Sequence, residues 1–563
     1  MKRDFDVIVI GSGVAGAMAA YRLAKLKARA LILEAGNHNP SRAEMVGAYA
    51  TAFPKSLHTP YVQIESDTNA PSPDSSPNYY DTPEGFVKFR STYERRTGGA
   101  TWHWLGHTPR MLHSDFKMKS AYGGGPNFPD GFVDWPISYD DLEPWYCEAE
   151  AEMGVAGSDA EWQNLFNSPR SKPFPMSMIW PSYSDRWIAE QLDGKEFEGL
   201  TYRVHSTPSA RNSSLYDNRP PCAGNSICVP LCPIGAKYDG AVHVAKAVEN
   251  GAVLWEQAVV TRLEKDKDAS VHRVEFVTYG DINRKNRTAS PVTAEVVIIA
   301  ANAIETPKLL LISELADKSG KVGFYLMDHL SKSTFGKASE PLFPFRGPPS
   351  TSGIESFRDG EFRREYAGFR LSLNNDGWGR KGSPYADIVD LVTNERRIGT
   401  DLQQALFDRV VRQLRLSCSV EVAPDSANRV ELSSMKDALG ILRPKVTFAA
   451  PQYSLKGLAH ATSTMKNMFE ILGEKNPDLG QEGAFDGAGH IMGTCRMGGD
   501  ATTSVVDADC CSHDHHNLFI LGSAVFPTCG SPNPTLTLAA LALRGADHIA
   551  RRMGLKTAQV VQE

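Results

Sequence analysis

Asp6-Val7-Ile8-Val9-Ile10-Gly11-Ser12-Gly13-Val14-Ala15-Gly16 is an apolar, β-branched run that enters Gly-x-Gly-x-x-Gly and is followed by an Ala-rich, helix-forming stretch. A second apolar run, Ala30-Leu31-Ile32-Leu33, ends on Glu34. Strand, Gly-rich turn, helix, strand and acid in this order make a dinucleotide-binding βαβ unit. Gly11 permits the tight turn, Gly13 lets the backbone approach a pyrophosphate, and Gly16 lets helix and strand pack closely. The unpaired N–H groups and partial positive charge at the helix N-terminus favour phosphates. Glu34 is placed to accept hydrogen bonds from ribose hydroxyls.

Outward from this unit, 563 residues exceed what one core can serve, so two or more domains are expected. With 41% hydrophobic and 22% charged residues the composition is that of a soluble globular protein. A formal net charge of −6 without a long basic run leaves no footprint for nucleic acid. No window holds the roughly 18 consecutive apolar residues of a membrane span. The first apolar run is too short for a signal peptide and already serves as a strand.

Residues 40–90 read as a long surface excursion, centred on the Pro/Ser-rich stretch Asn69–Pro77. Gly98-Gly99-Ala100-Thr101-Trp102-His103-Trp104 suggests backbone passing close to a flat ligand. Helices are predicted over 140–153, 240–249, 305–313, 454–472 and 535–553, with Pro144 and Pro307 in first turns. Strands are predicted over 253–263, 271–279, 294–301 and 517–523. Strand-like pieces alternating with polar turns between about 330 and 480 predict a second, sheet-based domain. The expected division is 1–325 and 481–563 for a discontinuous, Rossmann-like α/β domain, and 326–480 for an α+β substrate domain with an antiparallel sheet.

The N-terminal fingerprint is followed by Gly98–Trp104, Asp134-Trp135-Pro136-Ile137-Ser138-Tyr139, Ala301-Asn302-Ala303-Ile304-Glu305-Thr306-Pro307 and Met327-Asp328-His329. His490-Ile491-Met492-Gly493-Thr494-Cys495-Arg496-Met497-Gly498 and Pro532-Asn533-Pro534-Thr535-Leu536-Thr537 complete the series. Together they resemble the glucose–methanol–choline (GMC) flavoprotein oxidoreductases over nearly the whole chain. The resemblance implies FAD rather than NAD. It places FAD contacts at Gly11, Gly13, Gly16, Glu34, Gly98, Gly99, His103, Val259, Ala301, Asn302, Ser523, Ala524 and Thr535. It gives His490 the role of accepting a hydroxyl proton, work that suits imidazole, and Asn533 that of holding the substrate oxygen. His103 falls where pyranose oxidases attach the flavin covalently, and a histidine packed on non-covalent flavin is the alternative. Leu521-Gly522-Ser523 stands where many members have Asp-Gly-Ser.

Cys222, Cys228 and Cys232 form Cys-x5-Cys-x3-Cys-Pro, whereas the other six of the nine cysteines are scattered or adjacent. Thiolates on a short Gly/Pro loop suit an iron–sulfur cluster, and three fit [3Fe–4S]; a zinc knot and a disulfide are the alternatives. With its surroundings the segment resembles the cluster loop of bacterial FAD-dependent glucose, fructose and gluconate dehydrogenases and of glycoside 3-dehydrogenases. That resemblance implies a small carbohydrate substrate and electrons leaving to a c-type cytochrome or quinone. It also implies a small companion subunit that carries the chain to the periplasm; without such a companion the chain is expected in the cytoplasm. The Gly-Thr-Cys-Arg-Met-Gly ending after His490 tilts the reading to C3 of a glucoside, giving a 3-keto sugar. Glucose, gluconate and fructose oxidation are alternatives, as is a pyranose-oxidase-like enzyme using O₂. A catalytically silent flavin-binding subunit is the remaining rival.

Overall fold

A computed structural model describes residues 3–37, 39–52, 79–279, 287–376 and 384–556. The Pro/Ser-rich stretch Asn69–Pro77 lies outside them. β1 (Phe5–Ile10), α1 (Val14–Lys25) and β2 (Ala30–Leu33) form the expected βαβ unit, with Val7↔Ala30 to Ile10↔Leu33 in parallel register. Further along lie α2 (Tyr139–Met153), β3 (Val204–Ser206) and α3 (Ala241–Glu249), followed by β4 (Val253–Trp255), β5 (Ala258–Lys265), β6 (Val271–Tyr279) and β7 (Arg287–Ile299).

The long β7 serves two partners. Its first half pairs antiparallel with β6, while Ala294–Ile299 pairs parallel with β1. β4 adds to the outer edge of β2, and β15 (Leu518–Ile520), from the far end of the chain, pairs parallel with Val297–Ile299. Val7–Ile10 of β1, all of β2 and the last residues of β7 are buried, which explains their unbroken apolar sequence. α1 packs on α3 and on α6 (Thr535–Arg552), which in turn packs on α2.

Two local expectations change. The single strand predicted over 253–263 is split, because Gln257 takes a left-handed φ of 53° and its N–H donates to Gly36 O at 2.8 Å. Helix α4 (Asn302–Ser313) starts three residues before its predicted start and α2 one residue before its own, so Pro307 and Pro144 both lie inside their helices rather than in first turns. Pro307 has no N–H to offer Ala303 O, and the Thr494 hydroxyl donates to that carbonyl instead, at 2.9 Å.

The second sheet is antiparallel and comprises β8 (Leu330–Lys337), β9 (Ser352–Ile354), β10 (Phe369–Asn374), β11 (Gln413–Val420), β14 (Asp486–Gly487) and β3. Their order is β14-β8-β11-β10-β9-β3. The sheet therefore draws strands from both sides of the expected 326–480 span. The hairpin β12 (Arg429–Lys436) and β13 (Leu442–Thr447), inside that span, packs on α4 of the first layer. One face of the sheet is apolar (Phe369, Leu371, Leu373, Leu414, Leu416, Val420) and is covered by α5 (Gln452–Ile471). No helix among the described residues is long and apolar enough to cross a membrane.

Candidate active site

Between the Gly-rich turn and the polar face of the second sheet lies a cavity of about 1070 Å³. Six of the FAD contacts expected from sequence line it: Gly13, Gly98, His103, Asn302, Ser523 and Thr535. Gly11, Gly16, Gly99, Ala301, Ala524, Glu34 and Val259 do not line it.

The Gly-rich turn has the form that a dinucleotide needs. α1 begins without a side-chain cap and without an acid in its first turn, so its N-terminal N–H groups remain for an anion. A Cβ on Gly13 would meet nothing within 4 Å, whereas one on Gly16 would stand 2.1 Å from Gly11 O. Gly99, at φ +60°, brings the second Gly pair so near that its Cβ would stand 3.0 Å from Gly13 Cα. Gly13 thus opens onto the cavity, whereas Gly16 and Gly99 bring backbone close around it. Glu34 is buried, with Ser12 N at 3.0 Å, Ser12 Oγ at 2.5 Å and Gly36 N at 2.7 Å from its carboxylate. A carboxylate has about four lone-pair sites, so these bonds leave acceptor capacity while fixing its position. Val259 packs with Tyr279, Leu439 and Ile441, and Ala35, next to Glu34, borders the same cluster.

The 3-10 turn Gly99–His103 sets the His103 ring at the cavity wall, with Nδ1 3.3 Å from a Glu94 oxygen. His490 and Asn533 meet in the wall of the same cavity, His490 Nε2 lying 3.1 Å from Asn533 Nδ2. His490 N–H donates to Asp328 Oδ1 at 2.8 Å, and the other Asp328 oxygen accepts from Ser91 Oγ. Burial pushes the Asp328 carboxyl up to about 6. The His490 ring is held well below the usual imidazole pKa, by burial first and by neighbouring His329 second. It is therefore a neutral base across the physiological range.

Sequence reasoning gave no role to His329 or to the cavity's other wall. β8 presents Ser331 and Ser333 there, β10 Arg370, Ser372 and Asn374, and β11 Arg415, Ser417 and Ser419. The signal was present as polar residues at every second position, opposite the apolar face that α5 covers. Both arginines are charge-compensated. Arg370 Nε is 2.6 Å from Glu355, and Arg415 binds Asp376 through two nitrogens at 2.9 and 2.7 Å. The wall thus offers oriented donors and hydroxyls without a net charge of its own.

All nine cysteines are free. Cys222, Cys228 and Cys232 face one small space of about 10 Å³, enough for a single water, walled also by Arg211 and Lys237. No three His, Cys, Asp or Glu among the described residues gather tightly enough to hold a single metal ion. A cluster differs in that its thiolates bind separate irons and stand farther apart. The donor chemistry fits such a group. Three thiols share the space with a buried guanidinium whose Nη1 lies 3.8 Å from Cys228 Sγ and whose Nε has no partner among the described residues. Lys237, also buried, donates to Trp102 O, Trp104 O and Cys228 O, each at 2.8 Å. One ammonium thereby ties the cysteine loop to the turn that carries His103.

A Rossmann-like NAD(P)-binding domain matches residues 9–43, and GMC oxidoreductase domains match residues 205–331 and 424–542. The fructose dehydrogenase large subunit of Gluconobacter japonicus is 34% identical over 97% of each chain. The chain belongs to the GMC oxidoreductase family. Its fold is the Rossmann-like α/β domain with an added antiparallel sheet, its cofactor is FAD, and it acts on CH–OH groups. The 6'''-hydroxyparomomycin C oxidase of Streptomyces lividus is also similar, 29% identical over 98% of this chain and 92% of its own. The crystal structure of pyridoxine 4-oxidase from Mesorbium loti shares the fold. Its TM-score is 0.62 at 17% identity, covering 97% of this chain and 99% of that one.

Proposed function

We propose that this chain oxidises a secondary or anomeric hydroxyl of a neutral sugar or glycoside, with the cysteine loop carrying electrons away from the flavin. The observation that carries the reading is the His490–Asn533 pair, 3.1 Å apart at the wall of a cavity whose other side is a row of hydroxyls and compensated arginines. Asn533 positions the substrate oxygen. His490 accepts the hydroxyl proton at Nε2 as the C–H bond breaks and the carbonyl forms. FAD, when bound at the α1 N-terminus, supplies the acceptor for the departing hydride. Glu34 and Val259 would hold the nucleotide end, and His103 would pack on or bond to the ring system.

Because Arg370 and Arg415 are both paired with carboxylates, the polar wall favours an uncharged polyol over an aldonate or an amino sugar. The motif after His490 favours C3 of a glucoside as the oxidised carbon. A second reading, oxidation of fructose, is favoured by the 34% identity to a fructose dehydrogenase subunit. Cys222, Cys228 and Cys232 would hold a [3Fe–4S] cluster, which takes electrons singly and so suits a cytochrome or quinone acceptor better than O₂. Delivery to such a partner, with a companion subunit and a periplasmic site of action, belongs to the same reading.

The test is anaerobic titration of the purified protein with glucosides, fructose, glucose and gluconate, followed by absorbance and EPR. Neutral sugars should bleach the flavin and produce an iron signal, whereas gluconate should act at least about tenfold more weakly, an energy of about 1.4 kcal/mol. Peroxide formation without an added acceptor would favour an oxidase instead. Cys228→Ser should abolish the iron signal and most electron delivery to a one-electron acceptor while sugar still bleaches the flavin. Unchanged delivery in that variant would remove the cysteine loop from the path.

A further inference from the structure

His490 is the outer end of a buried polar chain that starts at a backbone carbonyl. His329 Nε2 lies 2.8 Å from Gly530 O, and His329 Nδ1 lies 2.9 Å from His490 Nδ1. The rings stand edge to face, 88° apart. Each bond needs one donor and one acceptor, and a carbonyl oxygen can only accept. His329 Nε2 must therefore carry the hydrogen. Neutral His329 then has a bare Nδ1, which accepts from His490 Nδ1–H. That leaves the lone pair of His490 on Nε2. The opposite end of the chain requires the same arrangement, since the Asn533 amide nitrogen donates to His490 Nε2 at 3.1 Å.

We infer that His329 is a positioning residue for proton transfer: anchored by the Gly530 carbonyl, it fixes the His490 tautomer whose Nε2 carries no hydrogen, so that a substrate hydroxyl can take the place of the Asn533 N–H on that nitrogen. This rests on the reading of His490 as the proton acceptor and deepens it. The neutrality of His329 matters as much as its shape. Fully buried, it is held down to about 4 and stays uncharged. It orients His490 without adding the negative charge that a carboxylate would bring, so the base stays deprotonated at mildly acid pH. Other charged groups around the pair are already engaged. Asp328 turns to the backbone N–H groups of Ala488, Gly489 and His490, and Glu94 faces His103. Asp115, behind Gly530, is paired with Arg363 at 2.9 Å, and Cys529 lies against Val422.

The experiment measures anaerobic flavin reduction by sugar as a function of pH in the holoenzyme, with FAD content as the folding control. His329→Gln preserves the polarity, because an amide N–H donates to Gly530 O and its oxygen accepts from His490 Nδ1–H; kcat/KM should stay within about tenfold of the parent. His329→Leu leaves the tautomer unset and should lose about 100-fold or more, the scale of general base catalysis. His329→Glu should move the acid limb of kcat/KM up by about one pH unit or more, as an adjacent carboxylate does to an imidazole. Should the Leu variant fail to fold, the Gln and Glu pair still decides. Equal losses in Gln and Leu, or an acid limb unmoved in Glu, would overturn the inference. Flavin reduction surviving His490→Ala would instead overturn the reading on which it rests.

Discussion

His490→Ala should reduce sugar-driven flavin reduction by about 100- to 10,000-fold while the protein keeps its FAD. That range is the usual contribution of a positioned general base. The substitution leaves the cofactor cradle alone, because the phosphate end depends on the α1 N-terminus and Gly13, on a different element. Removing the imidazole enlarges an already open cavity rather than the sealed core, so the fold should tolerate it. Stopped-flow absorbance gives the rate, and the flavin spectrum gives the occupancy. A slow rate at full occupancy supports the assignment, whereas an undiminished rate would assign the proton to another group. Below the ordinary imidazole pKa the parent should still turn over, since His490 is held neutral there. Activity that fell away with a midpoint at or above about 6.5 would contradict that electrostatic reading.

Two glycine substitutions should separate folding from cofactor binding. Gly16→Ala places a methyl 2.1 Å from Gly11 O and 3.2 Å from Ala300 Cβ, both on the packed side of the first βαβ unit. The nearer contact is backbone and cannot rotate away, so α1 must move off the sheet. Overpacking of this kind costs about 1–3 kcal/mol or more, and the expected result is a fall in Tm together with colourless protein. Gly13→Ala adds the same methyl where nothing stands within 4 Å, at an ordinary φ of −63°. Its Tm without FAD should stay near that of the parent, and only FAD retention should fall. Equal Tm losses in the two variants would mean that Gly13 serves packing, not the ligand.

The readable parts of the chain were those whose signal is local. β1, α1, β2 and Glu34 follow one another within the first 34 residues, and their spacing alone implies the unit. The split at Gln257 was hidden because the cause is a contact with Gly36, more than 200 residues away in sequence. Thr494, which compensates for Pro307 inside α4, was hidden in the same way. The composition of the second sheet was also out of reach. Val204–Ser206 and Asp486–Gly487 are too short to register as strands by pattern and exist because β9 and β8 pair with them. His329 sat in a quoted motif, yet its role depends on Gly530, and no periodicity connects the two.

Leu518–Ile520 pairs with the parallel sheet and leaves the ribosome more than 480 residues after β2. His490, Asn533 and the N-terminus of α6 come from the same late stretch. During synthesis, the nucleotide-binding turn is therefore made hundreds of residues before the strand that completes its sheet and the side chains that would act on a sugar. Vectorial folding of the first unit is consequently unable to yield a working oxidase or dehydrogenase in nascent form. Catalytic competence therefore waits for that later stretch, and a chain stalled short of Leu518–Ile520 would be chemically silent.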